Sequence, residues 1–331
     1  MFLFESDWKR FPNAAIQEDT KNKSFLRYSV LLKDMGVKNY KWPLAVTNSE
    51  LLTIDPFSPT ITRDQAMLVM RECRINPWYF FRECIILDNI AGENIYFNAS
   101  RGNMALYWLF FAHIDVILVQ IRQTGKTFGC SWLARYLMNI GCTSTNINLL
   151  TKNDNLRGKP LEEIIDTENK LPFFMQLRTK GDIANPEEFT IKSLGNKYVG
   201  HLPNASEKMA TSVGRGLTSP IFFIDELAFL LNNRTMLGAA LPATTAARAK
   251  QKAKGEPYGV IMTTTAGKLD DRDGKFAHEL IMEAAKWNER FFDALDEQDL
   301  EMIVRKASPG KTTTVYCVFN HRQLGYDDTW L

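Results

Sequence analysis

The sequence predicts an α/β protein with a mainly parallel β-sheet that carries helices on both faces. Short apolar runs, typical of buried strands, occur at 115–120, 146–150, 220–225 and 258–264. Helical apolar spacing at 160–177 and 234–250 separates the later strands. Strands that alternate with helices pair in parallel, because a parallel pair needs a long crossover connection.

The composition is that of a globular protein, with 331 residues of which 45% are hydrophobic and 24% charged. No apolar run approaches the roughly 18 residues of a membrane helix, and the first ten residues do not form a signal peptide. We therefore expect no membrane association and a reducing cytoplasm. The five cysteines show no CxxC pairing, which favours buried thiols over a metal site.

The remaining elements divide the chain into three predicted parts. Residues 1–60 are mixed and polar, and they are predicted to form an N-terminal extension or lid subdomain. The core, 61–285, begins with helical spacing from the N-cap Thr62 to residue 84, and it contains a possible hairpin at 190–200. Residues 286–331 are predicted to form a C-terminal lid or linker that includes a strand-like run.

A phosphate-binding loop is indicated directly after the first strand of the sheet. Residues 120–127 read QIRQTGKT and match the Walker A pattern GxxxxGK[ST], except that Gln120 replaces the first glycine. Gly125 allows a close approach of the backbone to phosphate, Lys126 can reach the β- and γ-phosphates, and the Thr127 hydroxyl can ligate Mg²⁺. The alternative is a chance Gly-Lys-Thr at a helix start.

Two carboxylates end the strand near residue 224, as in a Walker B motif. Asp225 would lie at the carboxyl end of the strand, where open α/β sheets bind ligands, and it is predicted to hold Mg²⁺. Glu226 can take a proton from the attacking water as general base. The alternative is a strand end followed by an acidic helix cap. The next strand also ends in polar residues, and Thr264 is predicted to sense the γ-phosphate, although threonine-rich strand ends are common.

Three features occur in this order along the chain: the phosphate loop, the acidic pair and the polar end of the next strand. Together they predict a P-loop NTPase of the ASCE or RecA-like class, with ATP and Mg²⁺ as ligands. The chain also resembles the large terminase subunit of tailed bacteriophages. The similar segments are NPWYFFRE at 76–83, RQTGKT at 122–127, LPFF at 171–174, VGRG at 213–216 and FIDELAF at 223–229. The R-Q-x-G-K-T loop of that family also lacks the first glycine.

This resemblance implies a motor ATPase that translocates double-stranded DNA into a procapsid in the host cytoplasm. It further implies a homo-oligomeric ring on the portal protein, together with a small terminase subunit. In that family a nuclease domain follows the motor. Because the segment 325–331 is similar to the one that joins motor and nuclease, we expect this chain to hold the motor domain alone.

The resemblance also suggests roles for further residues. In the loop, Gln123 and Thr124 would bind nucleotide beside Gly125. Arg122 would contact phosphates in cis, or it would pair with an acid at the sheet edge. Arg215 would reach the γ-phosphate of the neighbouring subunit, or it would lie in an ordinary surface turn.

Adenine recognition in the family uses an aromatic residue and a glutamine upstream of the loop. Here Tyr96 and Asn103 occupy roughly these places, although asparagine departs from the pattern. Tyr96 and Phe97 could equally be core residues.

Two other functions remain open at this point. The chain could be a helicase-like ATPase that depends on nucleic acid, or a nucleotide-binding assembly subunit without turnover. The net charge of +2 neither requires nor excludes nucleic acid. A basic run at 248–254 could contact DNA or could be a solvated helix end.

Overall fold

The fold is known from a computed structural model that describes residues 1–88, 94–121, 126–203, 206, 211 and 218–327. Its helices, in chain order, are α1 Glu5–Lys9, α2 Lys23–Asp34, α3 Arg63–Ile75, α4 Pro77–Glu83, α5 Arg101–Phe111, α6 Lys126–Tyr136, α7 Asp154–Thr167, α8 Asn233–Ala253, α9 Arg272–Glu283 and α10 Glu297–Ala307.

The strands, in chain order, are β1 Ala15–Ile16, β2 Ala45–Val46, β3 Ile86–Asp88, β4 Asn94–Tyr96, β5 Asp115–Gln120, β6 Asn146–Leu150, β7 Glu188–Ile191, β8 Asn196–His201, β9 Ile221–Ile224, β10 Gly259–Thr264, β11 Ala285–Lys286 and β12 Thr314–Phe319.

In the part of the chain that the structure describes, the central sheet has eight strands in the order β11-β12-β5-β10-β9-β6-β8-β7. All neighbours are parallel except β7 and β8, which form the predicted hairpin at the sheet edge. Strand β10 lies between β5 and β9, and Met262 of β10 pairs with Ile117 on one side and Ile224 on the other. The phosphate-loop strand and the acidic strand are therefore held in a fixed register by a third strand.

Helices cover both faces of the sheet, because its strands are apolar on both sides. Val116 and Leu118 of β5 face a core shared with α5, α6 and α7, whereas Ile117 faces a second core beneath α8 and α9. This arrangement confirms the predicted α/β class with a mainly parallel sheet and helices on both faces.

Several predicted elements are confirmed almost to the residue. The strands predicted at 115–120 and 146–150 have these bounds, and Thr62 caps α3 in a capping box with Gln65. The helix predicted at 160–177 instead begins at Asp154, where the Asn153 side chain accepts a hydrogen bond from the Leu156 N–H. The residue Pro160 is inside α7, since burial of this helix face outweighs the lost backbone hydrogen bond.

The two ends of the chain contribute to the core more than the sequence indicated. Strand β12, placed in a C-terminal lid or linker by the sequence, pairs with β5 over its full length. At the other end, Phe2 and Phe4 are buried, and Phe4 packs edge-on against Trp108. A local apolar pattern predicts that a segment forms a strand, but it does not identify the strand with which that segment pairs.

All five cysteines are free and buried, as expected from their spacing. Among the described residues, no helix combines the length and the apolar character that a bilayer crossing requires. The basic run at 248–254 occupies the end of α8. Within it, Arg248 forms an ion pair with Asp115, and Lys254 forms one with Glu256.

A buried ion pair fixes the far half of α6 to the segment that follows α7. Arg135 pairs with Glu168, and both side chains are almost fully inaccessible to solvent. Burial lowers the pKa of Arg135 to about 10, so the guanidinium remains charged at neutral pH. Glu168 also accepts hydrogen bonds from the N–H groups of Leu177 and Arg178.

Replacing Glu168 with alanine is expected to lower the free energy of unfolding by about 3–5 kcal/mol, because a buried guanidinium is left without its carboxylate. Denaturant titration of the purified chain measures this value. Glu162→Ala, on the exposed face of α7, is the matched control and should change stability by less than about 0.5 kcal/mol. Equal losses in the two variants would contradict a stabilising role for the pair.

Candidate active site

The carboxyl ends of β5, β10 and β9 lie side by side at one edge of the sheet. Thr264 at the end of β10 pairs with Val119 of β5, and Met262 pairs with Ile224 of β9. Adjacent strands are about 5 Å apart, so the ends of β5 and β9 are separated by about 10 Å. Side chains that extend from these ends can act on one small ligand.

Lys126 is the first residue of α6 and is only 7% exposed. Its Nζ donates hydrogen bonds of 3.1 Å to the carbonyl oxygens of Gln120 and Ile121. The ammonium group therefore lies over the end of β5, at the start of the helix. This is where a P-loop lysine is needed to bind phosphate.

Asp225 directly follows β9 and is 6% exposed. Its N–H donates to the Leu150 carbonyl at 2.8 Å, and its Oδ1 accepts a 2.6 Å hydrogen bond from the Thr263 hydroxyl. Backbone and side chain are thus both held in place by neighbouring strands.

The beginning of α6 lies close to Asp225. Cys130 of this helix lines a small cavity together with Asp225 and Thr263. Burial raises the pKa of the Cys130 thiol, and the Asp225 charge adds to this effect. Lysine and aspartate therefore belong to one site, on either side of β10.

Glu226 adopts a left-handed backbone conformation, with φ 57° and ψ 47°. For a residue other than glycine this conformation costs about 1–3 kcal/mol, and it persists only where the surroundings fix it. The half-buried carboxylate accepts a 3.3 Å hydrogen bond at Oε2 from the Thr265 hydroxyl. Glu226 is thus tied to the residue that follows β10, and Asp225 to β10 itself.

The three threonines at the end of β10 have different contacts. Thr263 and Thr265 donate to Asp225 and Glu226, whereas Thr264 accepts from the Ala228 N–H at 3.2 Å and donates to the Thr265 carbonyl at 2.8 Å. The sequence singled out Thr264 and missed the other two. Strand register could have identified them, because Met262 pairs with Ile224 and alternate residues share a face. Contact of Thr264 with a γ-phosphate stays a prediction.

Asn103 lies against the first turn of α6. A Cβ atom at Gly129 would be 2.9 Å from Asn103 Oδ1, so this glycine leaves room for the amide. The Asn103 Nδ2 group donates to the Asn98 carbonyl at 3.0 Å. The predicted adenine residue is therefore next to the phosphate helix.

Tyr96 lies in a different environment. It lines a cavity of about 180 Å³ with residues such as Lys21, Asp55 and Arg82, and no described residue of the phosphate site lines that cavity. The neighbouring Phe97 is buried and stacks on Tyr107, with ring centroids 5.5 Å apart. Phe97 is thus a core residue, which was the alternative considered for it.

Some predicted site residues fall outside the described part of the chain. Thr127 is described as a residue of α6, but its side chain is not. The residues that lie wholly outside the described ranges are Arg122, Gln123, Thr124, Gly125 and Arg215. Their roles stay predictions.

The donor set fits Mg²⁺ at Asp225. Mg²⁺ prefers oxygen ligands and is usually bound in nucleotide sites by one or two carboxylates together with water and phosphate. Among the described residues, no group of three or more His, Cys, Asp or Glu could hold a metal by itself. Asp225, oriented by Thr263, supplies the single carboxylate that such a site needs.

The sequence matches no known family model and no curated protein. Similar folds occur in large terminases of bacteriophages. A point mutant of the ATPase domain from Thermus phage P74-26 is 9% identical, with a TM-score of 0.42, and the match covers 69% of this chain and 84% of that one. The large terminase of a thermophilic bacteriophage in complex with ADP is 13% identical, with a TM-score of 0.39 and coverage of 70% and 48%.

The large terminase of bacteriophage HK97 is 14% identical, with a TM-score of 0.41, and the match covers 60% of this chain and 38% of that one. The chain thus spans half or less of the length of the last two proteins. At these identities and TM-scores the likeness does not assign a function.

Proposed function

We propose that the chain is the ATP-hydrolysing motor domain of a viral terminase, which translocates double-stranded DNA into a procapsid. The strongest support is that a buried lysine and two carboxylates lie at the same edge of the sheet. Lys126 lies over the end of β5, and Asp225 and Glu226 directly follow β9. The similarity of the sequence at 122–127 to the R-Q-x-G-K-T loop favours a terminase among P-loop ATPases.

Each described residue has a chemical task in this proposal. Lys126 neutralises charge on the β- and γ-phosphates of ATP. Asp225, with the Thr127 hydroxyl, would hold Mg²⁺, which offsets the charge that develops on the transferring phosphoryl group. Glu226 orients the attacking water and accepts its proton. Thr263 and Thr265 hold the two carboxylates in place.

Several finer assignments belong to the proposal as well. Arg122 would act in cis and Arg215 in trans, in a homo-oligomeric ring on the portal protein in the host cytoplasm. A small terminase subunit would be a further partner. Asn103, beside the phosphate helix, is better placed than Tyr96 for a contact with adenine.

Phosphate release from ATP by the purified chain tests the proposal. We expect turnover with Mg²⁺, a loss of at least about 10²-fold with excess EDTA because the phosphate charge is no longer offset, and recovery when Mg²⁺ is restored. Double-stranded DNA should stimulate the rate. Stimulation by single strands alone, with strand separation, would favour the helicase-like function. Nucleotide binding without turnover under all these conditions would favour a non-hydrolysing subunit.

A further inference from the structure

The acidic turn, residues 225–233, joins β9 to α8 and contains two left-handed residues. Glu226 has φ 57°, and Asn232, at the start of α8, has φ 56°. Neither is a glycine, so other parts of the protein must hold both ends of the turn in this shape.

Asp273, in the first turn of α9, holds the far end. It is 8% exposed. Its Oδ2 accepts a hydrogen bond from the Asn232 N–H, and its Oδ1 accepts one from the Asn233 N–H, both at 3.2 Å. A carboxylate at the N-terminus of α8 is also favoured by the helix dipole. One side chain from a separate helix therefore fixes the end of the turn and the beginning of α8.

Asn233 extends this connection towards Glu226. Its fully buried side chain donates from Nδ2 to the Leu227 carbonyl at 3.0 Å and to the Asp273 carbonyl at 2.9 Å. Leu227 is the residue next to Glu226. A single amide group thus joins the backbone of α9 to the carbonyl of Leu227, the residue after the proposed general base.

The loop from β10 to α9 supports the near end of the turn by close packing. A Cβ atom at Gly267 would lie 2.7 Å from the Cβ of Ala228, and one at Gly274 would lie 2.2 Å from the Lys268 carbonyl oxygen. The Ala228 N–H also donates to Thr264. The beginning of α9 is therefore a close-fitting support for the acidic turn.

We infer that Asp273, with Asn233, is a positioning residue that keeps Glu226 in place for hydrolysis. Its carboxylate accepts from backbone groups at the start of α8, and it acts on the reaction only through the shape of the acidic turn. The inference rests on the proposed function, in which Glu226 takes the proton of the attacking water.

Asp273→Asn is the direct test. The amide oxygen can still accept one N–H, but the amide nitrogen then faces the other N–H, donor against donor. We expect kcat for ATP to fall about 10- to 100-fold, because a small displacement of a catalytic group has effects of this size. The dissociation constant for ATP should change by less than about 3-fold, since Lys126 and Asp225 are held by other contacts.

Arg234→Ala is the matched control. This neighbouring residue pairs with Glu279 on the exposed side of α8, and its replacement should leave kcat unchanged.

Asn233→Ala is a second variant that leaves the Asp273 carboxylate in place and removes the hydrogen bond to the Leu227 carbonyl. It should lower kcat without weakening ATP binding, and it supplies the test if Asp273→Asn does not fold. A parallel loss of kcat and affinity in a folded variant would overturn the inference.

The double variant Asp273→Asn with Glu226→Gln separates positioning from an independent effect. If Asp273 acts through Glu226, the double variant should hydrolyse ATP at the rate of Glu226→Gln alone. If instead the fold-losses in rate of the two single variants multiplied in the double variant, the positioning role would be overturned and the proposed function would remain intact. If Glu226→Gln alone kept the wild-type rate, the proposed function would fail at its general base.

Discussion

Lys126→Ala is expected to reduce ATP hydrolysis by at least about 10²- to 10³-fold, the largest effect that we predict. The ammonium lies at the end of β5, at the start of the helix where a P-loop lysine binds phosphate. Removing a group that stabilises transition-state charge has effects of this order. Nucleotide binding should also weaken by about 10-fold or more, because a charged hydrogen-bond donor is lost.

Phosphate release and isothermal titration with ATP measure the two effects of Lys126→Ala. Lys306→Ala removes an exposed lysine from α10 and should change neither value. Thermal melting of both variants shows whether the fold is kept. Wild-type turnover in folded Lys126→Ala protein would remove the P-loop assignment altogether.

Glu226→Gln is expected to separate binding from turnover. Glutamine keeps the size of the side chain and can still accept the hydrogen bond from Thr265, but it cannot take the proton of water. Turnover should therefore fall by about 10²-fold or more, while the affinity for ATP is retained.

The same two measurements apply to Glu226→Gln, with Glu162→Gln on the exposed face of α7 as the control. Because the Glu162 side chain is exposed to solvent, its variant should match the wild type in both rate and affinity. If the rate and the affinity of Glu226→Gln fell in parallel, Glu226 would have a structural role, and another base would have to be sought.

Local sequence patterns predicted much of this fold because its central strands are buried on both faces. Strands β5 and β9 are near-continuous apolar runs, and each is followed by polar residues that mark the ligand edge. The capping box at Thr62 is equally local, since it depends on residues three positions apart. Features that depend on near neighbours in the chain could therefore be predicted from the sequence.

Features that depend on contacts between residues far apart in the chain could not be predicted from local patterns. The sequence of β12 indicated a strand but not its position beside β5. The sequence of α9 did not reveal that Asp273 would cap α8, because the two residues it binds lie far earlier in the chain. Similarly, Thr263 and Thr265 gain their meaning only from the register with β9. Tertiary contacts of this kind decided the parts of the site that the sequence missed.

The position of β12 decides where the polypeptide leaves the sheet. Because β12 runs parallel to β5 and Phe319 pairs with Gln120, the chain emerges at the same edge as the phosphate loop, one strand away from it. Adjacent strands are about 5 Å apart. A Cβ atom at Gly102 would contact both Gln120 and Leu324, so the outgoing segment already packs around the end of β5. A displacement of Gln120 would thus reach the segment after β12 across a single strand spacing and through Gly102, without passing through the core.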